Sequence, residues 1–235
     1  KGWILLGRTW YYLDPANGKM LADGIHVIGG SSFAFHGSGA MVTGWYRASD
    51  GNWYYFSNSG YMHKGWILLG RTWYYLDPAN GKMLADGIHV IGGSSFAFHG
   101  SGAMVTGWYH ASGGNWYYFS NSGYMHTGWI LLGRTWYYLD PADGKMLADG
   151  IHAISGSSFA FRSSGAMVTG WYLAPDGSWY YFNGSGHMHK GWILLGRTWY
   201  YLNPADGKMY ADQIVSIDGR DSSFSASGAW LGYVD

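Results

Sequence analysis

The chain's 235 residues carry 14 basic and 14 acidic side chains, so the formal net charge is zero, and no basic block gives nucleic acid or an anionic membrane an electrostatic footing. There is no Cys, which excludes a disulfide framework and thiolate metal sites, and no apolar run approaches the ~20 residues of a membrane-spanning helix. Aromatic residues make up 20% of the chain, 39 residues are Gly and every acidic residue is Asp. Aromatics favour strands, Gly and Asp favour turns, and the Glu of helix surfaces is missing, so an all-β protein with many tight turns is expected.

In chain order, the first phrase is GWILLGRTWYYLDPANGKMLAD, residues 2–23. Trp3 to Leu6 reads as an apolar strand, Gly7-Arg8 as a two-residue turn and Thr9 to Leu13 as the return strand. The second phrase, GIHVIGGSSFAFHGSGAMVT at residues 24–43, turns at Gly29-Gly30. The third, GWYRASDGNWYYFSNSGYMHK at residues 44–64, carries Asp50-Gly51, a type I′ signal. Asp-Pro-Ala-Asn-Gly or Ser-Asn-Ser-Gly follows the first and third hairpins as turn chemistry.

The series then repeats. Residues 64–126 differ from 1–63 only by Arg47 to His110 and Asp50 to Gly113. The 63-residue copies fall at 1–63, 64–126 and 127–189, with a partial fourth at 190–235 whose last phrase, from about 213, is degenerate. All ten Met residues lie 21 apart, from Met20 to Met209, always in Gly-x-Met. The expectation is one array of about eleven hairpins over 1–235, each covering the apolar face of its neighbour, because a lone hairpin buries too little to stand by itself. QIVSIDGRDSSFSASGAW reads as a cap. Lys1 sits where Lys64 and Lys190 sit in later copies, so the chain is expected to begin inside a repeat, with any targeting segment or catalytic domain outside it.

The pattern G-W, W-Y-Y-[LF], G-x-M, repeated at this spacing over essentially the whole chain, resembles the cell-wall-binding repeat family. That family includes choline-binding modules, with related repeats in glucan-binding domains and clostridial toxins. The resemblance implies a noncatalytic, left-handed solenoid of hairpins with about three hairpins per turn. It implies choline sites between consecutive hairpins, made from the Trp of GW and the Trp of WYY in one hairpin, the second Tyr of WYY in the next, and a Met. A quaternary ammonium donates no hydrogen bond, so aromatic faces must hold it.

Carried onto this chain, the resemblance implies third-to-first sites at Trp45, Trp53, Tyr75 with Met62; at Trp108, Trp116, Tyr138 with Met125; and at Trp171, Trp179, Tyr201 with Met188. First-to-second sites are expected to be weaker, with Phe for Tyr: Trp3, Trp10, Phe35; Trp66, Trp73, Phe98; and Trp129, Trp136, Phe161. Second-to-third junctions should lack a cage, because Ile25 stands at the GW Trp position and Phe33 at the WYY Trp position. No full site is expected after Trp192 and Trp199, since the terminal phrase lacks the matching aromatic.

The ten His do not form a reproduced metal pair, since His187-Met188-His189 is Tyr61-Met62-His63 in the first copy, and neither metal nor cofactor is expected. Asp14, Asp77 and Asp140 before Pro, and Asp23, Asp86, Asp149 and Asp212, read as turn formers. No nucleophile–base set stands out, and the chain is not expected to be an enzyme. The leading reading is a secreted, surface-associated targeting module that binds choline groups of cell-wall teichoic acids. A glucan or host-glycan module, using His36, Ser38, Arg47, Asn52 and Asn58 for sugar hydroxyls, and an adhesin stalk are the alternatives.

Overall fold

The computed structural model describes residues 1–234, and every regular element among them is a strand. In the first copy Gly2–Leu6 pairs with Thr9–Leu13, Gly24–Ile28 with Ser31–Phe35, and Gly44–Arg47 with Trp53–Phe56, all antiparallel. The second and third copies repeat these registers, as Trp66↔Tyr75 and Trp171↔Tyr181 illustrate. Each strand has four or five residues, the minimum that a hairpin needs to present two opposite faces.

The turns divide by backbone sign. Gly29 and Gly30 both have positive φ, the pattern of a type I′ turn, and Ser155-Gly156 and Asp218-Gly219 follow it. At Gly7-Arg8 only Gly7 is positive, as in a type II′ turn. Asp50-Gly51 does not form the expected type I′ pair. It lies in a five-residue loop between Arg47 and Trp53 in which the Gly51 N–H donates to the Ala48 carbonyl, and only Gly51 has positive φ. The repeated Asp residues are structural. Asp14 Oδ1 accepts from the Ala16 N–H at 2.7 Å and its Oδ2 from Asn17 at 2.9 Å, while Asp23, Asp86, Asp149 and Asp212 hold φ between 50° and 55°.

Period-two alternation gives each hairpin a forward and a backward face. In the first hairpin Trp3, Trp10 and Tyr12 share the forward face, with Trp3 5.0 Å from Tyr12 and 6.3 Å from Trp10. Phe33 and Phe35 of the second hairpin meet this face, at 4.8 and 5.9 Å from Trp3. The last residue of each return strand supplies the core. Phe35, Phe56, Leu76, Phe98, Phe119, Leu139, Phe161, Phe182 and Leu202 are all at 0% exposure.

The Met ladder ties neighbours together. Each Met bridges back to the end of its own hairpin, as Met41 does to Phe35, and from Met41 onward each donates its N–H to the hairpin before, here to the Trp10 carbonyl at 2.8 Å. Its side chain then rests on the Gly of the following connection. A Cβ at Gly60 would overlap the Met41 thioether, and Gly60 also has φ of 80°. Gly-x-Met is therefore one contact read twice, the Gly receiving the previous Met and the Met seeking the next Gly.

By contacts the chain forms two compact units, one of Lys1–Gly114 with Tyr118–Met125, the other of Asn115–Tyr117 with the residues from His126 onward. Within each unit the hairpins stack in series as a β-hairpin solenoid. The second unit ends in a three-stranded sheet of Gln213–Ile217, Arg220–Phe224 and Trp230–Tyr233.

Candidate functional site

Three kinds of junction follow from the facing scheme. Where a first-type hairpin meets a second-type one, the forward Trp pair is left half covered. In the first unit, Trp3 and Trp10 with Phe33, Met41, Asn58, Ser59 and Tyr61 line a groove of about 510 Å³. Phe33 forms its inner wall, Trp10 stands 42% exposed at the lip, and Tyr61 from the third-phrase tail lies 5.0 Å from Phe33. Trp66, Phe96 and Tyr124 repeat these spacings, with both ring pairs at 4.9 Å. In the second unit the groove of about 490 Å³ has Trp129, Trp136, Phe159 and Met167, with His187 in the Tyr61 position at 4.8 Å from Phe159.

At the third-to-first junction Trp45 meets Trp53 edge-on at 6.4 Å and Tyr74 of the next hairpin at 5.0 Å. Trp171, Trp179 and Tyr200 match it, with distances of 6.3 and 5.0 Å. Trp53 and Tyr74 thus both stand at steep angles to Trp45, at 89° and 68°, with Trp53 exposed, so that ring faces of three residues gather at one junction.

The second-to-third junction is packed shut. Ala34, Val42, Tyr54 and Phe56 form a buried cluster with Ile25 and Met62 against it. Ser32, Ala34 and Ile25 occupy the positions that carry Trp10, Tyr12 and Trp3 in the first hairpin. The register puts Ser32, and not Phe33 as the sequence pattern suggested, at the WYY Trp position, and Phe33 faces back onto Trp3, so no ring is there to form a box.

Charge gathers beside the third-to-first boxes. Lys82 precedes Met83, whose N–H binds the Trp53 carbonyl, and its ammonium lies 3.6 Å from Asp50. Hydrogen bonds from Asn52, with Lys82 assisting, hold the Asp50 carboxyl below its ordinary range. Asp176 is lowered by the Ser178 N–H and by Lys208, 3.1 Å away. In the middle copy Gly113 stands at the sequence position of Asp50. In the second unit Lys145 pairs with Asp143 of its own turn at 2.7 Å. Six of the ten His side chains reach backbone carbonyls. His26 Nε2 lies 2.9 Å from the Ala22 carbonyl and His63 Nε2 3.0 Å from that of Trp66, and no metal-binding group exists among the described residues.

The geometry relocates several residues named from the sequence. Tyr75 and Tyr201 point forward onto their own Trp66 and Trp192, at 4.9 and 4.8 Å, and do not meet the preceding Trp pair. The first Tyr of WYY does, because adjacent strand residues face opposite ways. Phe35 and Phe161 lie wholly buried as floor beneath the wall formed by Phe33 and Phe159, and Phe98 likewise lies beneath Phe96. Met62 and Met188 back the second-to-third junction through Ser32 and Ser158, while Met83 and Met209 back Trp53 and Trp179. Of the middle set, Trp108 packs on Tyr118 and Met125 binds the Ser95 carbonyl in the first unit; in the second unit Trp116 accepts from Met146 and Tyr138 packs on Trp129.

The terminal phrase holds a ring that the pattern did not anticipate. Ser222 stands where Phe33 stands in the first copy, and Trp230 takes the ladder-Met position, paired with Phe224 as Met41 is with Phe35. Trp230 lies 5.6 Å from Trp192, so Trp192 and Trp199 do meet an aromatic partner. The signal was the number 230 itself, 21 beyond Met209.

Comparison with solved structures finds the same fold. CbpJ of Streptococcus pneumoniae TIGR4 aligns at 27% identity with a TM-score of 0.71, covering 98% of this chain and 93% of that one. Choline binding protein F of the same species, solved in the presence of a peptidoglycan analogue, aligns at 27% identity and 0.69, covering 98% and 92%. The choline-binding domain of S. pneumoniae CbpL aligns at 28% and 0.55, covering 81% and 98%. A search of curated proteins gives no match. The choline-binding repeat matches residues 46–87, 110–150 and 175–213, just over half of the chain, and a cell wall binding repeat matches residues 1–20. With its aromatic boxes between stacked hairpins, the chain belongs to the choline-binding repeat family.

Proposed function

We propose that this chain is a noncatalytic module that holds choline groups of a cell-wall polymer in the aromatic boxes between its hairpins, as part of a secreted, surface-associated protein. The observation that carries this reading is the repeated set of two Trp and one backward ring at fixed distances, with Trp53 and Trp179 each 41% exposed at the lip. A trimethylammonium group seated there exchanges hydration for ring faces worth about 0.5–2 kcal/mol each, which makes any one site weak. Several weak sites on one array of 63-residue repeats engage a polymer by avidity.

The boxes at Trp45, Trp53, Tyr74, Met83 and at Trp171, Trp179, Tyr200, Met209 are proposed as choline sites. The grooves at Trp3, Trp10, Phe33, Met41 and at Trp129, Trp136, Phe159, Met167 are proposed as a second class. Asn58 and Ser59 give the groove at Trp3 a polar edge, which favours a sugar ring as an alternative occupant.

The test is free choline. Millimolar choline should quench or shift Trp fluorescence and raise Tm, by about 2.7 kcal/mol of added stability at a hundredfold excess over Kd for one site. No change in Tm at saturating choline would overturn the choline reading, and a shift with oligosaccharides alone would favour the glycan.

A further inference from the structure

We propose that the backward face of the first hairpin, Gly2–Leu6 with Thr9–Leu13, is a docking surface for a hairpin of the third type supplied from outside these 235 residues. The chain shows what covers such a face. First-type residues 65–76 stack on third-type residues 44–56, and residues 191–202 stack on residues 170–182 in the same way. The first Tyr of WYY meets the GW Trp behind it at 5.0 Å in both, Tyr74 on Trp45 and Tyr200 on Trp171. The ladder Met donates its N–H to a Trp carbonyl at 2.8 Å, Met83 to Trp53 and Met209 to Trp179. The previous Met rests on the Gly of the connection, so a Cβ at Gly81 or Gly207 would overlap the thioether of Met62 or Met188. Lys82 and Lys208 reach across to Asp50 and Asp176, at 3.6 and 3.1 Å.

The first hairpin and its connection carry the near half of each of these contacts and the far half of none. The Met20 N–H has no acceptor among the described residues, and its side chain is exposed. A Cβ at Gly18 would meet only the Lys1 side chain, at 3.8 Å. Lys19 has no ion pair among the described residues. Leu6 is 63% exposed where Leu69 and Leu195 are half-buried, and Leu13 is half-buried where Leu76 and Leu202 are fully buried. A third-type hairpin answers all four with its Trp pair, a Trp carbonyl, a thioether and a carboxylate. A second-type hairpin presents Ser32 and Ala34 in place of the rings and turns at Gly29-Gly30, with no acid for Lys19. A second copy of the chain has no carbonyl to offer, because those of Trp53, Trp116 and Trp179 already accept from Met83, Met146 and Met209. In the terminal sheet the matching position is closed by the chain itself. Asp221 stands in the register position of Ser32, and its carbonyl accepts the Val234 N–H at 2.9 Å, as that of Ser32 accepts from Met62 at 3.0 Å.

The probe is a synthetic peptide of residues 44–63, titrated into the full chain while the Met20 amide is followed by NMR and its hydrogen exchange is timed. Because a lone hairpin is marginal in water, the same residues are also joined ahead of Lys1, which reproduces the native sequence of residues 44–76. The expected result is a shift of the Met20 amide and exchange slowed by about tenfold or more, toward that of Met83, since exchange reports local opening. Asp50→Asn in the added hairpin should weaken docking by about threefold at low salt, the size of one exposed charge pair. Protection of Met20 in either arm supports the docking surface, and unchanged exchange in both overturns it. If Met20 becomes protected in the chain alone as its concentration rises, with a dimer in sedimentation, the occupant is a second copy and the hairpin is overturned. Equal docking by the Asp50→Asn hairpin overturns the part given to Lys19.

Discussion

Within a strand, a step of one residue moves a side chain from one junction to the next. Tyr74 and Tyr75 are chemically identical neighbours, yet Tyr74 closes on Trp45 behind it and Tyr75 on Trp66 ahead. This separates their roles in a testable way. Tyr74→Ala should remove a wall from one box, weakening that site by about 0.5–2 kcal/mol, whereas Tyr74→Phe keeps the ring and should bind nearly as the parent does. Isothermal titration with choline checks it, and equal losses in both variants would assign the effect to the hydroxyl. The aromatic content that makes the sites was plain in the sequence. Which Tyr belongs to which site was not, because GWILL and TWYYL had to be placed in register before either face was defined.

Between elements, the connection after each hairpin does more than return the chain. Its Met bonds backward to one hairpin and packs forward on the Gly of the next connection, so the ladder fixes the step from hairpin to hairpin. Gly60→Ala should cost about 1–3 kcal/mol, since the new methyl meets the Met41 thioether and the backbone holds φ of 80°. A lowered urea midpoint with an unchanged slope would show it, and an unchanged midpoint would refute the contact. Two third-type loops and one first-type connection add a pH dependence. Asp50, Asp143 and Asp176 are held below their ordinary value of 3.8 in the fold. Folded values below the unfolded ones mean a stabilising contribution that is present above the ordinary carboxylate range and is lost as pH falls through the lowered values. Melting temperature should therefore be flat above pH 5 and fall below about pH 4, by a small amount because these carboxylates are exposed. Asp176→Asn should flatten part of that fall.

For the molecule as a whole, nearly identical copies make length a free variable. Residues 63 and 126 are both His, and the segments that begin at Gly65 and Gly128 open with the same GWILLGRTWYYL. Deleting residues 64–126 thus joins two ends that already know each other's partner, and stability in such an array is close to a sum over neighbours. The shortened chain should unfold cooperatively, at a somewhat lower urea midpoint, and lose the groove of Trp66, Phe96 and Tyr124. Loss of the folded state would contradict neighbour additivity.

Composition, the 63- and 21-residue periods and the turn residues determined by themselves that this chain is all-β and made of serial hairpins, while its motif pattern resembled the repeat family that the comparisons bear out. Those features are local or periodic, and a one-dimensional string records them in full. The tertiary structure decided which rings converge. Phe33 and not Phe35 faces Trp3, Met83 and not Met62 backs Trp53, and Trp230 stands in for a Met at the last step. Each of those outcomes depends on the register of one strand pair and on which of two faces meets the next hairpin, and neither quantity is carried by a residue's identity. They come into being only when the pleat is paired and the pairs are stacked.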